Sequence, residues 1–467
     1  MCLKNACNII GRNRFILEGV FRPKRDRKSA SGPYRILSSP HRIILIRMNV
    51  IREDSGMANL NMIREVLENT DYIRISGSAE EKKAAEYLKS LCEERGAEAY
   101  LESFDVDTAV VHEAVLIADG REIPCKGYKL CGSGGVEAPL CYLPNTDRAS
   151  LTKAKGKIVL LDTGITYWVY QDLLDAGAVG FITYDGDVRY PDRDIDHKTL
   201  RPYVSKGRKV PCVSVNAKDA FALVQSAPEK VSIRVEQTES VVSSQNVIAE
   251  IPGSTDEWIA LTAHYDSTPL SRGAYDNMSG CIGLLGILEA LKDKAPLRYG
   301  LRFIFCGSEE VGLLGSKAYT AAHQEELEKI ALNINLDMIG TYMGRFIACV
   351  SAEDKLLHYI QYLCAVRGWG IFARQDVYSS DSTPFADCGV PALSFARIAP
   401  KTQASIHNRY DTREVLSETQ LSSDIDFLAD FTLTMADAVQ CPVSREIPDS
   451  VRTKLDEYLL RKRKAES

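Results

Sequence analysis

The stretch Leu301-Arg302-Phe303-Ile304-Phe305-Cys306-Gly307-Ser308-Glu309-Glu310-Val311-Gly312-Leu313-Leu314-Gly315-Ser316 decides how this chain folds. Its first six residues are a short, mostly apolar and aromatic run, which reads as a buried strand. Two adjacent carboxylates follow, and then a helical pattern through Ala322. A Glu pair ahead of a helix ordinarily does no more than complement the helix dipole. Gly312 and Gly315 point instead to a close approach of backbone, which a capping pair does not need. Strand, acids, turn and helix in that order are the unit of an α/β sheet, whose functional groups lie just beyond the carboxyl ends of the strands.

The same texture extends both ways from this unit. Runs at Trp258–Thr262, Ala331–Leu336, Phe346–Val350 and Ala392–Phe395 read as strands. Helical spacing covers about Met278–Lys292, Ser316–Ala322, Asp354–Arg367 and Leu421–Val439. The alternation predicts an α/β fold with a mixed, mostly parallel sheet covered by helices. Earlier in the chain, Met57–Glu68 and Ala79–Arg95 have helical spacing, the second stopped by Gly96. Between them and the sheet, residues 110–238 change to short β-branched runs punctuated by Gly, Pro and Asp, which predicts an inserted β-rich module. The expected organisation is therefore a body of residues 57–109 and 239–445, the insert 110–238, and a charged tail at 446–467.

Composition narrows the function. The 467 residues are 45% hydrophobic and 26% charged, as in an ordinary globular chain with material for two or three cores. A net charge of -6 supplies no basic balance for neutralising phosphates, which argues against a nucleic-acid partner. No apolar run approaches the roughly 18 residues that span a bilayer. Thirteen cysteines, an odd number without a CxxC pair, read as buried reduced thiols rather than a zinc ribbon or a disulfide framework. Residues 1–56 form a basic extension: its first 47 residues hold eleven Lys and Arg against Glu18 and Asp26, without periodicity or a signal-peptide core. That texture favours sequence upstream of a start at Met48 or Met57 over a basic arm or a targeting peptide. Without a signal peptide, the cytoplasm is the default expectation.

Five short segments carry the chemistry. In Ala263-His264-Tyr265-Asp266 a histidine leaves a strand, and Asp266 is placed to hold its other ring nitrogen. Asp276 sits in Gly273–Gly280, a loop entering an apolar helix, where a plain N-cap is the ordinary role. Glu309 and Glu310 can divide proton transfer and metal ligation between them. Asp337 ends the apolar run Asn335–Gly340, and a buried acid needs a partner or a cation. His407 lies in the polar loop Ile406–Thr412. Any one of these has an ordinary structural reading; all five in series spell a two-metal hydrolase site, and carboxylate and imidazole ligands suit zinc. In that reading a water bridging the metals gives its proton to Glu309, attacks the scissile carbonyl, and Glu309 returns the proton to the leaving amine.

Here the chain resembles the co-catalytic zinc aminopeptidase family (peptidase clan MH), whose relatives include glutamate carboxypeptidase and the transferrin receptor. The likeness covers about Asn59–Val439 with the segments in family order. It implies a zinc exopeptidase fold holding two zinc ions, with His264 and Asp337 on one, Glu310 and His407 on the other, and Asp276 bridging. It implies Glu309 as general base, Asp266 as the partner of His264, and a non-proline cis peptide between Asp276 and Asn277. The insert, with Lys155–Val159 and Asp175–Gly180, resembles a protease-associated domain. Peptides are the implied partners and aminopeptidase the implied activity, a free substrate α-amine being able to ligate one zinc.

One departure stands out: in Ser380–Phe385 the family usually has His where Ser382 stands, which puts the substrate-side contacts of that loop in question. Tyr378 and Tyr410 are the candidate oxyanion donors. The sequon Asn277-Met278-Ser279 abuts Asp276, where a glycan would block the site, so it is read as unused. A carboxypeptidase would need a cationic pocket, for which Arg345, Arg374, Arg397 and Arg409 are the candidates. The same scaffold would also suit an aminoacyl cyclase or a non-catalytic binding protein. Deleting residues 1–47 is expected to leave turnover unchanged, checked by steady-state assay of the shortened chain; a large loss would show that the basic segment contributes.

Overall fold

Trp258–His264 is the centre of the main sheet, buried from Ile259 onward and flanked on both sides by parallel strands, Gly300–Cys306 and Ile330–Leu336. A strand buried on both faces has no polar side to alternate with, which is why its sequence reads as a continuous apolar run. The computed structural model describes residues 60–162, 164–186, 195, 197–294 and 296–463. Expectations for residues 1–56, including the start at Met48 or Met57, lie outside the described residues.

Outward from Ile330–Leu336 the sheet continues with Ala392–Ile398 in parallel, Arg345–Ser351 antiparallel to it, and Phe372–Gln375 at the edge. On the other side Gly300–Cys306 pairs antiparallel with Val231–Ile251, which pairs in turn with Glu98–Ala118. The sheet is thus mixed with a parallel centre, and helices cover it. Ser279–Leu291 is the central helix, apolar on nearly every side and buried from Ser279 to Leu288. Its glycines set how closely it packs: a Cβ on Gly280 would stand 2.4 Å from the Leu336 carbonyl oxygen, and one on Gly286 2.6 Å from Ile425. Ile425 belongs to Glu418–Ala436, the long helix packed alongside.

Glu98–Ala118 and Val231–Ile251 are each 21 residues long and form one antiparallel ladder from Glu98–Glu250 to Ala118–Val231. The ladder shifts register once, at His112, which leaves one extra residue on the first strand. The expected boundaries of the insert fall opposite each other on it, where Ala109 faces Glu239 and Val110 faces Thr238. Beyond them a second, five-stranded sheet runs Cys125–Gly127, Cys212–Asn216, Gly180–Asp185, Ile158–Leu161, Leu140–Leu143, parallel except at its first pairing. It carries helices Tyr167–Asp175 and Ala217–Ser226, so this stretch is α/β rather than simply β-rich. Residues expected as a charged tail contain the helix Asp449–Tyr458, anchored by Val451 and Leu455. The eleven described cysteines are all unpaired, and nine of them are buried.

Gly315 shows why glycine follows the Glu pair. A Cβ there would meet the Gly307 carbonyl oxygen and Asn246 Oδ1, each at 2.4 Å, and neither backbone nor a buried amide can move aside cheaply. Gly315→Ala is expected to destabilise the fold by about 1–3 kcal/mol, read as a lower urea midpoint at unchanged slope. Gly370→Ala, where an added methyl meets nothing within 4 Å, should change stability by less than about 0.5 kcal/mol.

Candidate metal centre

The carboxyl ends of the central strands deliver the candidate residues to one place. His264 is the last residue of its strand, Asp337 follows Leu336 directly, and Glu309 and Glu310 follow Cys306 by one turn. Two sets of side chains converge there: His264, Asp276 and Asp337, and Asp276, Glu310 and His407, each with its potential ligand atoms within 4.8 Å of one another. Asp276 belongs to both. Its Oδ1 lies 3.2 Å from His264 Nε2 and its Oδ2 lies 3.1 Å from His407 Nε2. His407 Nε2 is also 3.1 Å from Glu310 Oε2, and His264 Nε2 is 3.7 Å from Asp337 Oδ1. Glu309 Oε2 approaches His264 Nε2 to 4.0 Å. All seven candidates named from the sequence are therefore brought together.

Asp266 is fully buried and faces two ways. Its Oδ1 lies 3.4 Å from His264 Nδ1, while its two oxygens accept hydrogen bonds from the Glu309 N–H (2.9 Å) and the Glu310 N–H (3.2 Å). One carboxylate thus orients the histidine and holds the backbone of the Glu pair. The peptide between Asp276 and Asn277 is cis. Asn277, fully buried, ties that turn to the neighbouring strand: its Oδ1 accepts from the N–H groups of Gly280 and Met338, and its Nδ2 donates to the Leu336 carbonyl. A fully buried Asn spent on three backbone groups also accounts for the sequon at this position being read as unused.

Burial governs the electrostatics. It pushes the Glu309 carboxyl well above its usual range, with Glu310 adding to the rise. Glu310 is pushed up to about 7 by burial and by the charge of Asp276. Burial acts on Asp276 in the same direction, but hydrogen bonds from His264 and His407 outweigh it and hold that carboxyl below its ordinary value. Two buried carboxylate oxygens here have no hydrogen-bond partner among the described residues: Glu310 Oε1 and Asp337 Oδ1. Buried polar atoms are nearly always paired, so orphans gathered at one point fit a bound cation. The donor set, imidazole and carboxylate in two overlapping groups, is one that zinc accepts.

Three supporting residues escaped the sequence reading. Arg74 is fully buried and donates to five carbonyls, those of Thr70, Tyr72, Tyr265, Arg272 and Gly273, clamping the turn that leads to Asp276. Asp411 accepts from the N–H groups of Tyr275 and Asp276 at 2.7 and 3.1 Å. It stands four residues after His407, and its place in that polar loop was the only available signal. Glu81, from the helix Ala79–Glu94, accepts from Gly77 N–H, Ser244 Oγ, and both the N–H and Oγ of Ser308, the residue before Glu309.

The centre opens into a cleft of about 1160 Å³. Tyr378 lines it, whereas Tyr410 does not. Ser382, where the family loop usually has His, is buried and hydrogen-bonded to Ser394 at 2.8 Å, turned into the sheet rather than the cleft. None of Arg345, Arg374, Arg397 and Arg409 lines the cleft; Arg397 is engaged by Asp424 and Arg345 stacks over Phe372.

A mixed α/β sheet that gathers imidazoles and carboxylates at its carboxyl edge defines a metallohydrolase. Residues 246–432 match the model of peptidase family M28. Aminopeptidase YwaD of Bacillus subtilis is 28% identical over 377 residues, covering 76% of this chain and 79% of that one. The probable lipoprotein aminopeptidase LpqL of Mycobacterium tuberculosis is 27% identical over 63% of this chain and 60% of its own length. Among solved structures, BSAP, a zinc aminopeptidase from Bacillus subtilis, is 26% identical with a TM-score of 0.67, covering 84% of this chain and 98% of that one. Over residues 246–432 the chain is thus similar to peptidase family M28.

Glu81 yields a pH prediction. Burial, and then the nearby Asp266, push its carboxyl from 4.5 up to about 8. A carboxyl raised on folding holds its proton more tightly in the native chain, so its contribution is complete below about 4.5 and is lost as pH rises through about 8. The urea midpoint of metal-stripped protein should fall between pH 5 and 8, and fall less steeply in Glu81→Gln.

Proposed function

We propose that the chain is a zinc-dependent aminopeptidase that removes the N-terminal residue of peptides. The observation that carries this is the shared carboxylate of Asp276, one oxygen facing His264 and the other His407, among buried acids whose polar atoms lack protein partners. Such an arrangement would suit two zinc ions: His264 and Asp337 would hold one, Glu310 and His407 the other, and Asp276 would serve both. When bound, the metals would polarise the scissile carbonyl and lower the pKa of the attacking water. We also take residues 110–238 as a protease-associated domain inserted into the peptidase body.

The chain's own residues supply the rest. Glu309, whose Oε2 lies 4.0 Å from His264 Nε2, takes the proton of the attacking water and delivers it to the leaving amine. Asp266 keeps His264 in one tautomer and holds the Glu309 and Glu310 amides, so that ligand and base share one support. Asp411 fixes the backbone on which Asp276 sits. Tyr378, partly buried in the cleft near Asp337, is the side chain placed to donate to the oxygen of the tetrahedral intermediate.

Zinc-loaded protein should release free amino acid from peptides with a free amino terminus and none from their acetylated counterparts, with no release after chelation. Release from the carboxyl end of acetylated peptides would mean a carboxypeptidase instead. Glu309→Gln should retain metal and fold while losing turnover by about 10²–10⁴-fold. Asp276→Ala should lose bound metal as well, measured by elemental analysis after gel filtration. Near-normal turnover in Glu309→Gln would show that another group is the base.

A further inference from the structure

The helix Asp449–Tyr458 belongs to no segment that the chemistry above uses, yet it ends in the cleft. Tyr458, Leu459, Leu460 and Arg461 line the same cavity as His264, Asp276, Glu309, Asp337 and His407. The Tyr458 hydroxyl hydrogen-bonds the Ser379 hydroxyl at 2.7 Å, which ties the end of the helix to the loop that carries Tyr378. Burial pushes the Tyr458 phenol up to about 12, as for a ring withdrawn from solvent. Leu459 and Leu460 follow it, both partly buried. The segment therefore presents a largely apolar surface to the cleft, although the sequence around it is rich in charge.

Two arginines hold that surface across the opening. Arg461 makes a paired contact with Asp387, Nη1 to Oδ1 and Nη2 to Oδ2 at 2.6 Å each, on the helix Ser382–Asp387 of the peptidase body. Arg463 reaches the opposite side, bonding Asp172 and lying 4.7 Å over the Trp168 ring, both on the helix Tyr167–Asp175 of the inserted sheet. The C-terminal segment thus runs from the body to the insert as a strap over one side of the cleft. Both arginine side chains are about half exposed, 53% and 49%. Contacts of that kind are individually weak, about 0–1 kcal/mol, so the strap is fixed in place without being immovable.

We propose that Tyr458–Leu460, held by Arg461 and Arg463, are the specificity-determining wall of the cleft and limit the length of peptide it accepts, favouring di- and tripeptides over longer chains. This rests on the aminopeptidase reading. A peptide whose first carbonyl lies at Glu309 must carry the rest of its chain out of the cleft. The strap closes one of the exits, so each added residue either displaces the wall or is forced along a narrower path. Short peptides end before they reach it.

The test compares free-amine leucyl dipeptide and leucyl octapeptide as substrates of three zinc-loaded proteins: the full chain, a chain ending at Tyr458, and Arg461→Ala/Arg463→Ala. The full chain should prefer the dipeptide. Truncation should raise the ratio of octapeptide to dipeptide kcat/KM about tenfold, which corresponds to roughly 1.4 kcal/mol, and the double substitution should move it the same way. If the truncated chain does not fold, the double variant decides, since it leaves the helix and its Val451 and Leu455 anchors intact. A ratio unchanged within twofold in the folded variants overturns the inference. Binding of both peptides to zinc-loaded Glu309→Gln protein, with and without residues 459–467, separates this from failure of the aminopeptidase reading. Length discrimination that disappears on truncation, with no amino acid released by any form, would sink the reading and leave the wall standing.

Discussion

Five carboxylates and two imidazoles share the carboxyl edge of the central strands, and this concentration of charge is the constraint to which the surrounding structure answers. Taking an ion out of water costs on the order of several kcal/mol even after relaxation. Asp266, Asp276 and Asp337 are nearly or wholly buried, and Glu309 and Glu310 are only slightly open. Protonated histidines can offset part of that charge, but Nε2 of each is the atom that faces the acids, the same atom an imidazole would offer to a cation. Without a cation the strain shows in the raised carboxyl pKa values of Glu309 and Glu310; with one, the acids become ligands. Stability and chemistry therefore draw on the same atoms.

Such a site stays in register only if the backbone beneath it is fixed, and the chain fixes it with charged and amide groups rather than with apolar packing. Arg74, Asp266, Asn277 and Asp411 spend nearly all their hydrogen-bonding capacity on main-chain groups next to ligand positions. Each connects two segments far apart in sequence, so none of the loops can shift alone. That matters for a hydrolase, because a misplacement of about 1 Å in a catalytic group can cost 10²-fold in rate.

The central strands were legible in the sequence because burial on both faces leaves an apolar run with no alternative reading; Trp258–His264, Ile330–Leu336 and Ala392–Ile398 each extend only a little past the expected bounds. The seven site residues were legible because His, Asp and Glu at strand ends have few other uses. The middle of the long ladder was not, since Glu236–Ser243 exposes much of both faces and so carries no apolar period. Arg74 was invisible for a different reason: its partners are carbonyl oxygens, which every residue has. The helix Asp449–Tyr458 rests on two apolar anchors, too few to distinguish from a charged tail.

The two 21-residue strands also act as a ruler. Because side chains alternate faces along a strand, a slip of one residue would turn every inward side chain outward, so away from the bulge at His112 the ladder keeps its faces only when lengthened or shortened in steps of two. Each such step, made in both strands, would carry the second sheet about 7 Å along the ladder while leaving its orientation nearly unchanged. Cleft dimensions in proteins built this way are consequently graded in discrete increments, and an insert can drift in sequence without altering them as long as the ladder keeps its count.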